Sequence, residues 1–353
     1  MKRTYIIFSL FLAILMVSCA KVDNVQPSPS AGENDWMYDV NLPVPILFGS
    51  GNMLTKSTIS TLEDLAGQDI GVYALDKNAE KWNGDGNSVY LDNAEAFYDP
   101  SSRTIQFGTS RSYPETLYYP AVSDVSLDFY AYCAEGAYDF TVGDDAVTAV
   151  VPFGQNDILW AFASASDKMK DYTLYSGYNA DYIRTFPDAK PKLAFSHPAA
   201  VLRFCAMKAS SPSRANIRIE NVHLHEMALN GTLYIAERIR TKENQGQLRF
   251  VEGVNTRGVL SLKTEDMSKA LRSEGVLLGH MFVLPEPDLE QIVGKVRLTI
   301  DGQTIESDLT VNPEQLGAVV SGFISGYTYN LMLCVYDDGT VEVVPDLRDT
   351  LPN

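Results

Sequence analysis

Apolar and polar residues alternate with a period of two along much of the chain. In SLDFYAYCAEG, every second residue from Leu127 to Cys133 is apolar and falls on one face. This alternation indicates a β-strand with one side turned toward a core. KVRLTIDGQTIESDLTV alternates around Asp301-Gly302, and TYNLMLCVYDDGTVEVV alternates around Asp338-Gly339. Both dipeptides favour the positive φ angles of a two-residue hairpin turn, so each segment predicts a β-hairpin.

The same pattern predicts further strands and only a few short helices. The strands are 70–75, 103–107, 146–151, 193–207, 217–224, 231–236, 247–251 and 276–284, and the helices are 61–66, 157–170, 265–272 and 313–320. Many short strands with little helix are typical of β-sandwiches. The loop-like TFPDAKPK, at 185–192, is the best candidate for a boundary between two of them. We therefore predict an all-β fold with an N-terminal sandwich domain at 42–188 and a C-terminal one at 189–353.

The N-terminus has the order of a bacterial lipoprotein signal. Lys2 and Arg3 precede an apolar run that is too short for a good membrane span, and small Ser18 stands before Cys19. A lipoprotein peptidase cuts before a cysteine that carries diacylglycerol. We predict a signal peptide at 1–18, lipidation at Cys19 and a lipidated tether at 19–41. The alternative is an ordinary signal peptide that contains a cysteine.

Charge and cysteine usage narrow the classes of partner. The formal net charge of −17 repels phosphate backbones, so we expect no nucleic acid partner. After lipidation, Cys133, Cys205 and Cys334 remain, an odd number at wide spacing that is not a disulfide framework. Each lies in a strand-like run, which favours buried thiols, although a disulfide between two of them stays open.

Catalytic and metal motifs are incomplete in this sequence. HLHEMAL places His223 and His225 on one side of a strand, but the sequence shows no third ligand, which favours surface histidines over a metal site. DKNAEKWNGDGN imitates a calcium loop, yet Lys81 stands where that loop needs glycine. We predict a protein that is not an enzyme and has no catalytic residue, metal or cofactor.

Tyrosines concentrate in YPETLYYPAV, which contains Tyr113, Tyr118 and Tyr119. Exposed tyrosines at such a site stack on sugars or fill a partner's pocket. The alternative is ordinary packing at a sheet edge and in a loop.

An ordered set of segments resembles a known family. The segments are LEDLAGQDIGVYAL (62–75), LYYP (117–120), LDFYAYCAEG (127–136), NDILWAFA (156–163), LAFSHPAAVLRF (193–204) and MFVLPEP (281–287). Together with the lipoprotein signal they resemble the fimbrillin family of Bacteroidales, the subunits of type V pili, including its Mfa-like members. The resemblance covers the chain from about residue 42 to its end. It implies two tandem transthyretin-like β-sandwich domains with few short helices.

The resemblance also implies a route of assembly. In the family, a trypsin-like protease at the outer membrane removes the lipidated segment with the first strand, and another subunit donates a strand to the open groove. Here the candidate displaced strand carries Val44, Ile46 and Phe48. The candidate processing site is Lys56, because residues 22–55 contain no Lys or Arg. The alternative for Lys56 is a solvated loop lysine.

Alternate apolar residues near the C-terminus, Val341, Val343 and Leu347, form the candidate donor strand. The alternative is that the last hairpin closes its own domain. The leading hypothesis is a structural subunit of a type V fimbria that supports cell adhesion. A tip or anchor pilin, a monomeric glycan-binding surface lipoprotein and a surface glycosidase are the alternatives.

This hypothesis sets the expected location and partners. The location is the cell surface, with a lipid anchor in the outer membrane or a place in the fimbrium. The partners are other pilin subunits, the outer membrane, and a host or bacterial surface glycan or protein.

Overall fold

The structure is a computed structural model that describes residues 35–54, 61–83, 88–121, 124–165, 177–209, 214–238, 246–262, 270–313 and 322–345. The strands are β1 (Asn52–Met53), β2 (Ile70–Asp76), β3 (Val89–Asp99), β4 (Thr104–Ser110), β5 (Tyr113–Pro114), β6 (Leu127–Ala134), β7 (Tyr138–Val142), β8 (Ala146–Pro152), β9 (Ile158–Ala163), β10 (Ala194–Ser196), β11 (Ala200–Lys208), β12 (Ile217–Ala228), β13 (Asn230–Glu237), β14 (Leu248–Arg249), β15 (Arg257–Leu262), β16 (Val276–Val283), β17 (Ile292–Ile300), β18 (Gln303–Val311), β19 (Thr328–Val335) and β20 (Val341–Pro345). The helical elements are helix α1 (Ala180–Thr185) and 3₁₀ turns at Asp35–Met37 and Leu62–Leu65.

These strands form four sheets. Sheet 1 has eight strands in the order β1-β10-β9-β6-β2-β3-β4-β5. The other three have four strands each: sheet 2 is β14-β13-β8-β7, sheet 3 is β16-β11-β19-β20, and sheet 4 is β15-β12-β17-β18. The expected all-β, sandwich-type fold is confirmed.

The central strands β6 and β9 of sheet 1 are buried on both faces. Along β6, Phe129 and its alternate neighbours pack into one apolar cluster, and Tyr130 and Tyr132 pack into another. The second cluster joins sheet 1 to sheet 2, where the Trp160 indole nitrogen donates to the Ile235 carbonyl at 2.7 Å. The face of β6 that looked polar in sequence is therefore covered, since tyrosine and tryptophan bury their rings when the polar tip finds a partner.

The apolar cluster under sheet 2 continues between sheets 3 and 4. A single residue, Leu229, separates β12 of sheet 4 from β13 of sheet 2. Strand pairing also crosses the predicted boundary at residue 188, because β10 pairs with β9 in sheet 1 and β13 pairs with β8. The division into domains at 42–188 and 189–353 stays a prediction.

Each strand predicted from alternation coincides with an observed one. The long candidate at 193–207 divides into β10 and β11, and the one at 247–251 shortens to β14. The predicted helix at 157–170 is wrong over its described part, which contains β9. Both faces of β9 are buried, so ILWAFA has no polar alternation to mark it as a strand.

The other helix predictions differ in outcome. The segment 61–66 contains the 3₁₀ turn Leu62–Leu65, with the Thr61 amide donating to Asp64 Oδ2 at 2.8 Å. Most of 265–272 and 313–320 lies outside the described residues. Helix α1 was not predicted, and its N-cap is Asn179, whose side chain accepts from the Tyr182 amide.

The two Asp-Gly turns also differ. Asp301 and Gly302 have φ angles of 48° and 87° between the paired residues Ile300 and Gln303, so the two-residue turn is confirmed. At the second turn only Gly339 is left-handed, and the Tyr336 amide bonds across a wider loop to the Thr340 carbonyl at 2.9 Å. The two-residue turn predicted there is wrong, although β19 and β20 do form the antiparallel pair.

Candidate functional site: the leading segment and its groove

The described chain begins with residues 35–54, which we call the leading segment; it starts with the 3₁₀ turn Asp35–Met37 and is extended from about residue 43. Its side chains alternate between core and solvent. Val44, Ile46 and Phe48 are 1%, 3% and 5% exposed, whereas Leu47 between them is 41% exposed. The structure thus places the three side chains of the candidate displaced strand inside the core on one face of sheet 1.

Aromatic rings surround the end of this row. The Phe48 ring lies 5.4 Å from that of Phe107 and 5.5 Å from that of Phe129, measured between centroids. Tyr119 contacts Phe129 edge-on at 6.2 Å, and Trp36 is buried in the same cluster. Edge-on and tilted contacts of this kind are favourable beyond the burial of area. The leading segment therefore completes the core of sheet 1 through its side chains.

The backbone of the leading segment is held more sparsely. The Ile46 amide donates to the Leu117 carbonyl at 2.7 Å, and the Tyr119 amide donates to the Val44 carbonyl at 2.9 Å. Pro43 and Pro45 have no amide hydrogen to add to this pattern. The predicted strand 44–48 is consequently an extended stretch with an isolated bridge at Pro45, not a regular ladder strand.

The end of the leading segment lies along sheet 1. The Gly49 amide donates to the Pro191 carbonyl at 2.9 Å, and β1 then pairs in parallel with β10. The Leu54 amide donates to the Phe195 carbonyl at 2.7 Å. β1 is thus the terminal strand of sheet 1 on this side.

One arginine fastens the first part of the leading segment. Arg184, on α1, donates from Nη2 to the carbonyls of Val40 (3.1 Å) and Leu42 (2.6 Å), and from Nε to that of Trp36 (3.4 Å). Its side chain is 17% exposed, and Nη1 lies 3.6 Å from Asp181 Oδ1. Sequence reasoning missed this residue, because the only local signal is an arginine in the last turn of a short helix.

Two buried phenols line the groove under the leading segment and are uncharged at physiological pH. Burial raises the pKa of Tyr119 well above its ordinary value, and the neighbouring Tyr178 and Tyr182 add to the rise. Burial also raises the pKa of Tyr178. The Tyr119 hydroxyl makes no hydrogen bond to any described residue. The phenols therefore stay protonated, and an apolar side chain meets no charge from them.

The tyrosines of YPETLYYPAV do not form one platform. Tyr113 on β5 is 74% exposed, Tyr118 is half-buried, and Tyr119 is buried in the core. The sugar platform suggested for these residues is thus divided between solvent and core, and the packing alternative describes Tyr119.

The candidate donor strand lies at the edge of sheet 3. Val341 and Val343 are half-buried and pack against the apolar cluster, and β20 pairs with β19 in five consecutive positions. Here the last hairpin packs on its own sheet. Leu347, Lys56 and Cys19 lie outside the described residues.

The other candidate positions show no catalytic or metal arrangement within the described chain. His223 Nδ1 lies 2.8 Å from Ser261 Oγ, and the described part holds no group of three His, Cys, Asp or Glu side chains fit for a metal. Burial raises the pKa of Cys133 to about 12, with the carboxylates of Asp157 and Asp69 adding to the rise, so its thiol is protonated and a poor nucleophile. The Cys205 thiol is also buried, and that of Cys334 is half-buried.

No described helix has the length and apolar character needed to cross a bilayer.

Comparisons with known proteins bear on the fold. No family model and no curated protein matches the chain. A solved structure described as a "putative cell adhesion protein" from Bacteroides uniformis has 18% identity and a TM-score of 0.51, covering 87% of this chain and 97% of that one. Another of that description, from Bacteroides ovatus, has 16% identity and a TM-score of 0.46, covering 86% and 96%. A structure described as "putative polysaccharide binding proteins", from Bacteroides thetaiotaomicron, has 11% identity and a TM-score of 0.42, covering 88% of this chain and 99% of that one. At these identities the likeness concerns the fold, and the chain shares that of the Bacteroides uniformis protein over most of its length.

Proposed function

We propose that this protein is a structural subunit of a type V fimbria, a member of the fimbrillin family, and that it supports cell adhesion. The observation that carries the proposal is the leading segment. Its alternate apolar side chains fill the core of sheet 1, but residues 44–48 are tied to the rest of the described chain by only two backbone hydrogen bonds. A segment attached in this way is suited to replacement by another strand.

Cleavage after Lys56 would detach the whole leading segment. The groove would then expose the rings of Phe107 and Phe129, which Phe48 now covers. Backbone groups at 117–119 and 191–195 would lose their partners, and β10 would become the edge of sheet 1. An open edge beside an apolar slot is a template for an added strand.

The donated strand in this proposal comes from the C-terminal stretch with Val341, Val343 and Leu347 of another subunit. Val341 and Val343 have the same two-residue interval as Val44 and Ile46, and Leu347 follows four residues later. Because groove and donor are different surfaces, the contact is heterologous and propagates into a fibre. The proposed domain 189–353 would carry the donor, and the groove would lie mainly in the proposed domain 42–188, with β10 of 189–353 as its edge.

The proposed export route begins with lipidation at Cys19 and anchoring in the outer membrane. Cleavage would free the subunit from its lipid and open the groove in one step. The description of the Bacteroides uniformis neighbour as a cell adhesion protein supports a surface role. In this proposal an anchor subunit would keep its lipid, and a tip subunit would use its N-terminal domain as an adhesin.

Limited trypsin digestion of the full-length chain tests this proposal. We expect a new N-terminus at Ser57, followed by ladders on a denaturing gel that dissolve on heating. Lys56→Gln is the matched control and should remain uncleaved and monomeric. A chain that loses its leading segment and stays monomeric would contradict strand exchange. Sequencing the mature N-terminus from cells adds to this test, since a start at Cys19 indicates a retained anchor or a plain lipoprotein and a start at Ser57 indicates a processed pilin.

A further inference from the structure

A separate cleft opens on sheet 1, away from the groove of the leading segment. It measures about 680 Å³ and lies among four stretches of chain, namely 67–71, 93–96, 108–109 and 132–140. Its lining mixes glycine backbone with Asp69, Glu95 and Glu135, all exposed, and with the ring of Phe140. Clefts of a few hundred cubic ångströms with a few oriented polar groups are the usual form of small-ligand sites.

The polar floor of this cleft is held in one orientation. β2 and β3 shift register between Val72 and Ala74, and the bulge on β3 puts Asn93 at a φ of 51°. This left-handed conformation is uncommon outside glycine, but asparagine tolerates it better than most residues. The Tyr132 hydroxyl, on a side chain only 7% exposed, then donates to Asn93 Oδ1 at 2.8 Å.

Gly71 makes room for this pair. A Cβ at position 71 would lie 2.4 Å from Asn93 Oδ1 and 2.3 Å from Tyr132 Cε1, both too close. Glycine inside a strand is destabilising by roughly 0.5–1 kcal/mol relative to alanine. The strand thus carries a destabilising glycine at the point where the Asn93–Tyr132 contact needs the space.

The direction of the Asn93 amide follows from this hydrogen bond. Its oxygen is taken by Tyr132, and its Nδ2 makes no hydrogen bond to a described residue. The two N–H donors are therefore left for a ligand in the cleft or for water. The carboxylates of Asp69, Glu95 and Glu135 are acceptors when ionised. The cleft consequently offers fixed donors and several acceptors, the set that ligand hydroxyl groups require.

An aromatic wall completes the arrangement. The Phe140 ring is 39% exposed and lies 5.6 Å from the Tyr132 ring at 42°. An exposed aromatic face beside hydrogen-bonding groups suits a ligand with an apolar face and polar edges. The C–H face and hydroxyl rim of a pyranose have this form.

The carboxylates of the cleft disfavour two other classes of ligand, anions and metal ions. The carboxylates repel anions. Together with the other described His, Cys, Asp and Glu side chains, they form no group of three that could hold a metal ion. We propose that this cleft binds a neutral saccharide, with Phe140 stacking on a sugar ring, the Asn93 amide donating to a hydroxyl, and the carboxylates accepting from others. This inference does not depend on strand exchange.

An array of neutral and acidic oligosaccharides, probed with the full-length protein, tests the proposal. We expect binding to at least one neutral oligosaccharide and to none of the acidic ones, with the affinity of the hit then measured by calorimetry. Binding to no neutral oligosaccharide, or to acidic ones alone, overturns the proposal.

Two variants locate the binding. Phe140→Ala removes the ring, and Asn93→Asp keeps the oxygen for Tyr132 while replacing the donor by an acceptor. Each should weaken binding about tenfold, as expected for one lost interaction of this type. Tyr327→Ala is the control, because it removes a ring that is 55% exposed outside the cleft. Thermal melts of all variants establish that they are folded, and folded Phe140→Ala and Asn93→Asp proteins that bind like the parent overturn the assignment.

Discussion

The leading segment and strand β20 are two apolar stretches near opposite ends of the chain, and they are held in opposite ways. The leading segment buries Val44, Ile46 and Phe48 almost completely, while its residues 44–48 share only two backbone hydrogen bonds with the rest of the described chain. β20 pairs with β19 at five positions, while its side chains are only half-buried or exposed. A side-chain attachment needs only a row of apolar residues at the right spacing, so another strand can replace it. A strand held by a ladder of backbone hydrogen bonds, as β20 is, must keep a fixed register with the strand beside it.

The largest expected loss of stability comes from removing the Phe48 ring of the leading segment. Phe48→Ala should lower the free energy of unfolding by about 3–5 kcal/mol, because it deletes a fully buried ring between Phe107 and Phe129. Leu47→Ala, at the adjacent exposed position, should change it by less than about 0.5 kcal/mol. Urea denaturation measures both. Equal losses would mean that the leading segment is not anchored by its inward side chains.

Arg184 gives the next largest effect. Arg184→Gln removes the charge-assisted hydrogen bonds to the carbonyls of Val40 and Leu42. The loss should be about 1.5–3 kcal/mol, and the Ile46 and Gly49 amides should exchange faster with solvent. Arg238→Gln is the matched control, since its pair with Asp145 is exposed and worth about 0–1 kcal/mol. Hydrogen exchange followed by mass spectrometry separates the two. Unchanged protection in Arg184→Gln would show that the arginine does not hold the leading segment.

The side chains of β20 should matter less than its ladder. Val343→Ala, at a half-buried position, should cost about 1 kcal/mol, and Val344→Ala, at an outward one, less than about 0.5 kcal/mol. Amides of β20 within the ladder should keep their protection in both variants. The measurements are thermal denaturation and hydrogen exchange. A loss for Val343→Ala as large as that for Phe48→Ala would remove the contrast between the two regions.

The smallest effect at neutral pH concerns the Tyr119 hydroxyl. Tyr119→Phe removes a buried group that has no hydrogen-bond partner among the described residues, so stability at pH 7 should stay the same or rise by a few tenths of a kcal/mol. Burial raises the pKa of Tyr119, so the stability it contributes is present below the unfolded value of about 10 and is lost as pH rises above it. The parent should therefore lose stability above pH 10 more steeply than Tyr119→Phe. Equal slopes in denaturation curves from pH 8 to 12 would contradict this.

The sequence predicted strands well where one face is apolar and the other polar, and less well where both faces are buried. β9 was taken for a helix because sheet 2 and the leading segment's core cover both of its faces. Alternation identified the inward positions of the leading segment. It could not show that Pro43 and Pro45 would reduce the strand to a bridge, since that depends on the partner's backbone.

Contacts between residues that are far apart in the sequence could not be predicted either. Arg184 reaches carbonyls more than 140 positions earlier in the chain, and Asn93 meets Tyr132 across a strand. Neither residue belongs to a local motif. The two Asp-Gly turns differ because the pairing of the flanking strands, and not the dipeptide alone, sets the length of the loop.

The near-continuous passage from β12 into β13 has a mechanical consequence. Only Leu229 lies between the two strands, and one apolar cluster packs on both sides of the junction. Sheets 2 and 4 are therefore not joined by a flexible linker at this point. A pulling force across the molecule would act on the β12–β13 connection and on the shared apolar cluster at the same time. This junction would therefore transmit the force with little extension.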